Sequence, residues 1–137
     1  MREIPSEKIY ADNNSTTPVD PRVKEAIKPF LGKKFGNPSS LHSFGREVEK
    51  EVEKARKNIA NLLSADSDEV IFTSSGSEAN NTALKGAAWS MKEKGNHIIT
   101  TDIEHKSVMK TCKFLEKHGF DVTYLDVDEE GKIKDRR

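Results

Sequence analysis

The stretch from Val70 to Asn81 constrains the fold more than any other part of the chain. It opens with Val70-Ile-Phe72, a run of β-branched and aromatic residues that predicts a buried strand. Small polar residues and Gly76 follow, and then an alanine-rich helical pattern begins. Glu78 stands three residues after Ser75, which is the spacing of a capping box. We therefore expect a strand, a loop and a helix, with the positive end of the helix dipole directed out of the loop.

Anion binding is the functional interpretation of this loop. Gly76 lacks the Cβ that would hold a ligand away, and helix N-termini with free N–H groups bind phosphate. An ordinary helix cap is the simpler interpretation, because a Ser-x-x-Glu sequence is common. Neither a GxxxxGK[ST] loop nor a GxGxxG fingerprint occurs, so the loop by itself names no nucleotide.

Composition narrows the class of protein. The 137 residues are enough for one domain with a real core, and 23 basic residues balance 23 acidic ones. This balance argues against a partner that is nucleic acid or a membrane surface, and no apolar run is long enough to span a membrane. The N-terminus lacks the apolar core of a signal peptide, so we expect a cytoplasmic protein. A single cysteine excludes an internal disulfide and a cysteine-based metal site.

Strand patterns alternate with helical patterns along the chain. This alternation predicts an α/β fold with a parallel sheet and right-handed crossovers. The expected strands are a brief one at 8–11, then 70–73, 97–101 and 121–126, and the expected helices are 19–31, 46–63, 77–94 and one that ends at 118–119. Asp20 is the expected N-cap of the first helix, with Pro21 at its first helical position. Leu62 falls on the expected inner face of the second helix, and the small residues of the third helix, such as Ala83 and Ala87, are expected to lie close against the sheet.

Three side chains invite a functional interpretation. Cys112 falls on the apolar face of its helix, so we place it in the core as a small hydrophobe. His42 lies in the irregular stretch Phe35–Gly45, which favours a functional loop, although a hydrogen-bonded structural role suits this histidine better. His105 follows a strand and opens a helix, where ligands gather in α/β sheets, and a backbone-bonded cap is an equal alternative.

Four segments together resemble the first part of a cysteine desulfurase, a pyridoxal-phosphate enzyme of the class V aminotransferase family. They are Tyr10–Asp20, Phe35–His42, Phe72–Asn81 and Glu104–Lys106, in matching order and spacing. The resemblance implies a three-layer α/β fold of the pyridoxal-phosphate-dependent transferase type, mostly parallel and incomplete in this chain. It also implies an N-terminal segment with an active-site loop at 1–18, followed at 19–137 by the N-terminal part of the large cofactor-binding domain.

The resemblance assigns roles to three residues. Gly76 and Ser77 match the pair that holds the phosphate of pyridoxal 5'-phosphate, and His105 matches the catalytic histidine that stacks on the cofactor ring and relays protons. No metal is implied. The family usually has Ser-Gly-Ala-Thr-Glu where this chain has Ser74-Ser-Gly-Ser-Glu78, and we expect binding to survive this change. The Asn13-Asn14 and Asn37-Pro38 loops match segments near the active site.

The activity implied is removal of sulfur from L-cysteine, giving alanine and an enzyme persulfide for iron–sulfur cluster or thio-cofactor assembly. The implied partners are a sulfur-acceptor or scaffold protein and, at full length, a second copy in a homodimer. Four family residues have no counterpart here: the lysine that forms the Schiff base, the aspartate that pairs with the pyridine nitrogen, the arginine that holds the substrate carboxylate and the cysteine that carries the persulfide. Cys112 cannot replace the last. A truncated or split fragment that needs a second chain is therefore an alternative, as is a selenocysteine lyase. We expect the sheet to lack strands, which leaves edges and apolar helix faces uncovered.

Overall fold

The computed structural model describes residues 8–134. The chain divides into two compact units, Met1–Val70 and Ile71–Arg137. The division that the resemblance implies at residue 18 stays a prediction. Within residues 8–134, no helix combines the length and the apolar character needed to cross a membrane.

The first helix of the first unit begins where the sequence predicts. Asp20 is the N-cap of α1 (Pro21–Ile27), and its carboxylate accepts a hydrogen bond from the Arg22 backbone N–H at 2.7 Å. The helix was expected to continue to Leu31, but it tightens into a 3-10 helix at Lys28–Leu31. Pro29 explains the change, because its ring lacks an N–H and clashes with the carbonyl one turn earlier.

The second helix, α2 (Ser43–Leu63), begins three residues before the predicted start. His42 is its N-cap, and the ring Nδ1 accepts a hydrogen bond from the Gly45 N–H at 3.4 Å. The structural interpretation of His42 is therefore confirmed. A 3-10 helix at Ser67–Glu69 completes the regular structure described in this unit.

The second unit alternates helices with parallel strands. Its elements are α3 (Gly76–Ser90), β1 (His97–Thr101), α4 (Lys106–Glu116) and β2 (Asp121–Leu125). The strands pair in parallel, with His97 opposite Asp121 and Thr101 opposite Leu125. Gly119 turns the chain from α4 towards β2 with a φ of 85°, a conformation that suits glycine. This arrangement confirms the predicted α/β class with a parallel sheet.

Two strand predictions are wrong. The segments 8–11 and 70–73 form no strand, and β1 and β2 make up the one sheet found in residues 8–134. Val70 has extended backbone angles, φ −94° and ψ 117°, yet Ile71 is 71% exposed. A strand is stable only when a neighbouring strand pairs with its N–H and C=O groups, and the described residues provide none at this position.

The small-residue face of α3 was expected to lie close against the sheet. In the structure α3 packs against α4, and the face that carries Ala83 and Ala87 lines an apolar groove of about 460 Å³ together with Ile98 and Phe120. The expected uncovered apolar helix face is therefore present in this unit.

The core of the second unit lies beneath α4. Cys112, Leu115 and Thr111 are almost fully buried, and Phe120 joins them from the turn before β2. Burial raises the pKa of the Cys112 thiol, and the negative charges of Glu116 and Glu104 raise it further. The core assignment of Cys112 is confirmed, and little reactive thiolate is present near neutral pH.

We predict that Cys112 of the native chain reacts with an aromatic disulfide reagent at least about a hundredfold more slowly than Cys112 of the chain unfolded in urea, because reaction requires local opening of the core. The release of the coloured thiol measures both rates. A peptide that spans α4 serves as the freely accessible control. Equal rates for the native and unfolded chains would contradict the core assignment.

Candidate functional site

Three hydrogen bonds shape the N-terminus of α3. The Ser75 Oγ accepts from the Glu78 backbone N–H at 3.2 Å. The Glu78 carboxylate accepts from the Ser74 backbone N–H at 2.7 Å and from the Ser74 hydroxyl at 2.6 Å. The two bonds from Ser74 lower the pKa of Glu78, the side-chain bond most. Ser75 is therefore the N-cap, as the capping box predicts, but the Glu78 carboxylate bonds to Ser74 and not to the Ser75 N–H.

Gly76 and Ser77 are the first two residues of α3. Within residues 8–134 their N–H groups have no hydrogen-bond acceptor, as is normal for the first turn of a helix. Nothing lies within 4 Å of the position where Gly76 would carry a Cβ. The loop therefore presents two backbone donors to open space at the positive end of a 15-residue helix. Both residues lie at the helix start, as predicted.

His105 is the N-cap of α4. Its Nδ1 accepts a hydrogen bond from the Ser107 backbone N–H at 3.2 Å. The backbone-bonded alternative that the sequence left open is thus present. It does not exclude a role in a site, because the ring stays exposed and its Nε2 makes no contact with the helix terminus.

Ser77 and His105 lie on one cavity of about 410 Å³ between α3 and α4. Eight of its nine lining residues are polar or charged, and three of these are lysines, which favour an anionic ligand. The cavity is lined by Ser77, Asn81, Lys85, His105, Lys106, Ser107, Lys110, Thr111 and Phe114. The structure therefore brings together two of the three predicted site residues, and the third, Gly76, is the chain neighbour of Ser77.

Sequence reasoning missed Asn80 and Ser107, two side chains that contact the site. The Asn80 amide Nδ2 donates to the Ser107 Oγ at 2.8 Å, and the Ser107 Oγ lies 2.8 Å from the His105 Nδ1. Ser107 is buried and Asn80 is half-buried. Asparagine and serine near helix starts are common, so no signal in the sequence could have distinguished these two.

The other loops that the resemblance places near the active site belong to the first unit. At the first, the Ser15 N–H donates to the Asp12 carbonyl at 3.1 Å, and the Tyr10 hydroxyl donates to the same carbonyl at 3.0 Å. At the second, Asn37 accepts hydrogen bonds from the N–H groups of Ser39 and Ser40, each at 2.9 Å. Both loops are ordered turns, and their place in an active site stays a prediction.

The sequence matches the family Aminotransferase class-V over residues 9–136. This chain belongs to that family. Among curated proteins, the class V chain is 55% identical over 125 residues to the cysteine desulfurase IscS of Dictyoglomus turgidum, covering 91% of this chain and 32% of the relative. It is 52% identical over 128 residues to the cysteine desulfurase IscS of Clostridium botulinum, covering 93% of this chain and 32% of the relative. The chain thus spans about a third of the length of these relatives.

Solved structures show the same likeness. A NifS-like protein superposes with a TM-score of 0.86 at 43% identity, covering 93% of this chain and 35% of the other. A protein described as SspA in complex with cysteine gives a TM-score of 0.79 at 44% identity, covering 85% and 34%. The class V fold is therefore confirmed for the part of the fold that this chain spans.

Pyridoxal phosphate is the cofactor of class V aminotransferases and cysteine desulfurases. The residues present fit this group. Two free backbone N–H groups and the Ser77 hydroxyl suit a phosphate at the start of α3, and the exposed, flat ring of His105 lines the same cavity. The roles of Gly76, Ser77 and His105 as individual ligands stay predictions.

Proposed function

We propose that this chain supplies the phosphate cradle and the ring-stacking histidine of a pyridoxal-phosphate-dependent cysteine desulfurase. The observation that carries the proposal is the meeting of Ser77 and His105 on one cavity, beside the free N–H groups of α3. When bound, the cofactor supplies an electron sink for bond cleavage at the substrate carbon. In this proposal the chain's own residues bind the phosphate and hold a proton donor beside the reacting atoms.

The phosphate would bind chiefly through main-chain groups. The Gly76 and Ser77 N–H groups and the Ser77 hydroxyl are neutral donors, and the dipole of α3 adds positive potential at the same point. Lys85, Lys106 and Lys110 line the cavity and attract the phosphate from solution. A lysine side chain is not aromatic and cannot stack on the cofactor ring. The aromatic residues that line this cavity are His105 and Phe114, and we assign the ring contact to His105.

We propose further that the substrate is L-cysteine, that the product sulfur passes to an acceptor or scaffold protein, and that the complete enzyme is a cytoplasmic homodimer. Support for the substrate comes from the desulfurase relatives and from the related SspA, which is described as a complex with cysteine. Support for iron–sulfur cluster assembly comes from the relatives named IscS. Location and dimerisation rest on the resemblance to the cysteine desulfurase family.

Binding of pyridoxamine 5'-phosphate tests the cradle. This probe has no aldehyde, so it cannot couple to the many lysines of the chain, whereas it keeps both the ring and the phosphate. We expect the backbone amide resonances of Gly76 and Ser77 to shift on titration in a ¹⁵N NMR spectrum, together with the ring resonances of His105. Pyridoxamine without phosphate should leave these amides unchanged.

A negative charge introduced at Ser77 sharpens this test. Ser77→Asp puts a carboxylate where the phosphate would bind, and we expect it to weaken binding at least about tenfold. Thr82→Asp adds the same charge at an exposed position of the same helix and should leave binding nearly unchanged. Equal shifts with both probes, or equal binding by both variants, would contradict the proposed cradle.

A further inference from the structure

A continuous chain of hydrogen bonds runs from α3 into the start of α4. The Asn80 Nδ2 donates to the Ser107 Oγ at 2.8 Å, and the same oxygen lies 2.8 Å from the His105 Nδ1. Ser107 is 8% exposed, so water does not readily replace either partner. The Ser107 side chain thus links an amide on one helix to the histidine that caps the other.

The direction of these bonds follows from the number of protons that each group carries. A serine hydroxyl has one proton to donate and two lone pairs to accept with. Because the Asn80 amide donates to the Ser107 Oγ, the hydroxyl proton remains available for the His105 Nδ1. The Ser107 backbone N–H is also directed at this nitrogen, at 3.2 Å. Two donors therefore converge on Nδ1, which must be an acceptor in the neutral ring.

We propose that Asn80 and Ser107 are positioning residues that hold neutral His105 as the tautomer with its proton on Nε2. A neutral imidazole has one N–H, so an accepting Nδ1 places that N–H at Nε2. His105 lines the cavity with Ser77. The backbone of α4 bonds to its Nδ1, which leaves Nε2 as the ring nitrogen available to a group in the cavity. The neutral ring is then set to donate a hydrogen bond from Nε2 and not to accept one there.

The role of this fixed His105 tautomer in catalysis rests on the proposed function. In a desulfurase, a neutral His105 set in this way would donate a hydrogen bond from Nε2 to a group in the cavity. The tautomer itself is a property of this chain alone and needs no cofactor.

The tautomer can be read directly from the ¹⁵N shifts of the imidazole nitrogens in the 137-residue chain labelled with [¹⁵N]histidine. The chain has four histidines, and His105→Gln identifies the signals of His105 by their loss. At a pH where the ring is neutral we expect the Nε2–H form to exceed the Nδ1–H form by about tenfold, which corresponds to about 1.4 kcal/mol. A wild-type ring with its proton on Nδ1 would overturn the proposal.

Asn80→Asp reverses the first donor. A carboxylate at position 80 accepts a hydrogen bond from the Ser107 hydroxyl, so this hydroxyl can no longer donate to the His105 Nδ1 and offers it a lone pair instead. The ratio of the Nε2–H form to the Nδ1–H form should then fall several-fold. Thr82→Asp is the control, because it puts a carboxylate at an exposed position of the same helix that does not line the cavity. We expect this control to keep the wild-type ratio. Equal ratios in both variants and the wild type would overturn the proposal.

Ser107 provides a second pair of variants, which decides the question if Asn80→Asp fails to fold. Ser107→Ala removes the hydroxyl and should lower the ratio, whereas Ser107→Thr keeps a hydroxyl and should restore it. A wild-type ratio in Ser107→Ala would show that the backbone N–H alone sets the tautomer and would refute the roles of both side chains. A chain that fails to bind pyridoxamine 5'-phosphate but holds the Nε2–H form would contradict only the proposed function.

Discussion

Leu115→Ala is expected to lower the free energy of unfolding of the second unit by about 2–5 kcal/mol. Leu115 is fully buried on α4, between Cys112 and Phe120 of the same core. Truncation removes apolar surface that folding had buried and leaves a cavity that the neighbours fill only in part. A loss of this size is a large share of the stability of any small unit.

Urea unfolding followed by tryptophan fluorescence measures this effect. Trp89 is the single tryptophan of the chain, and its ring centroid lies 6.0 Å from that of Phe114 and 6.2 Å from that of Phe120. It therefore reports the packing of α3 and α4 directly. Ile103→Ala is the control, because Ile103 is 61% exposed in the same unit and its loss should cost about 0.5 kcal/mol or less. Equal costs for the two variants would contradict the core described here.

Gly45→Ala is expected to destabilise the turn before α2 by about 1–3 kcal/mol. A Cβ at Gly45 would lie 2.3 Å from the Ser40 carbonyl oxygen and 2.7 Å from the Asn37 carbonyl oxygen. Both obstacles are backbone atoms, so neither can swing aside as a side chain would. Hydrogen exchange at the Ser40 N–H, which donates to the Asn37 carbonyl at 2.9 Å, should become faster as the turn opens.

Gly86→Ala provides the control for this substitution. Gly86 lies inside α3, and nothing lies within 4 Å of a Cβ built there. Alanine suits a helix interior better than glycine does, so we expect this variant to keep the wild-type exchange at Ser40 and to be no less stable than the wild type. The overpacking argument fails if Gly45→Ala leaves the Ser40 amide as protected as Gly86→Ala does.

Local signals in the sequence predicted the starts of α1 and α3 and the turn after α4, whereas the predicted ends of the first helix at Leu31 and of the third at Lys94 each lie four residues beyond the observed ends, Ile27 and Ser90. Asp20 followed by Pro21 marked the start of α1, Ser75 followed by Glu78 marked the start of α3, and Gly119 marked the turn after α4. Each of these signals acts between residues that are close in the chain. Capping bonds and special φ angles form in any fold that contains the segment, so the sequence suffices to predict them.

Predictions that depended on a distant partner were less successful. Val70-Ile-Phe72 has the composition of a strand, yet it pairs with no strand of residues 8–134. Leu62 falls on the predicted inner face of α2 but is 83% exposed. Composition and periodicity show that a residue suits burial, but they do not supply the surface that would bury it.

In the candidate site, too, the local features could be predicted from the sequence and the contacts between helices could not. The sequence by itself determined that α3 begins at the loop with Gly76 and Ser77, and that His105 opens α4, because helix starts are set by their own residues. Only the tertiary structure decided that Ser77 and His105 share a cavity, and that Asn80 reaches Ser107 from another helix. Those contacts exist because α3 packs against α4, and packing of helices distant in the chain depends on side-chain complementarity that no local pattern encodes.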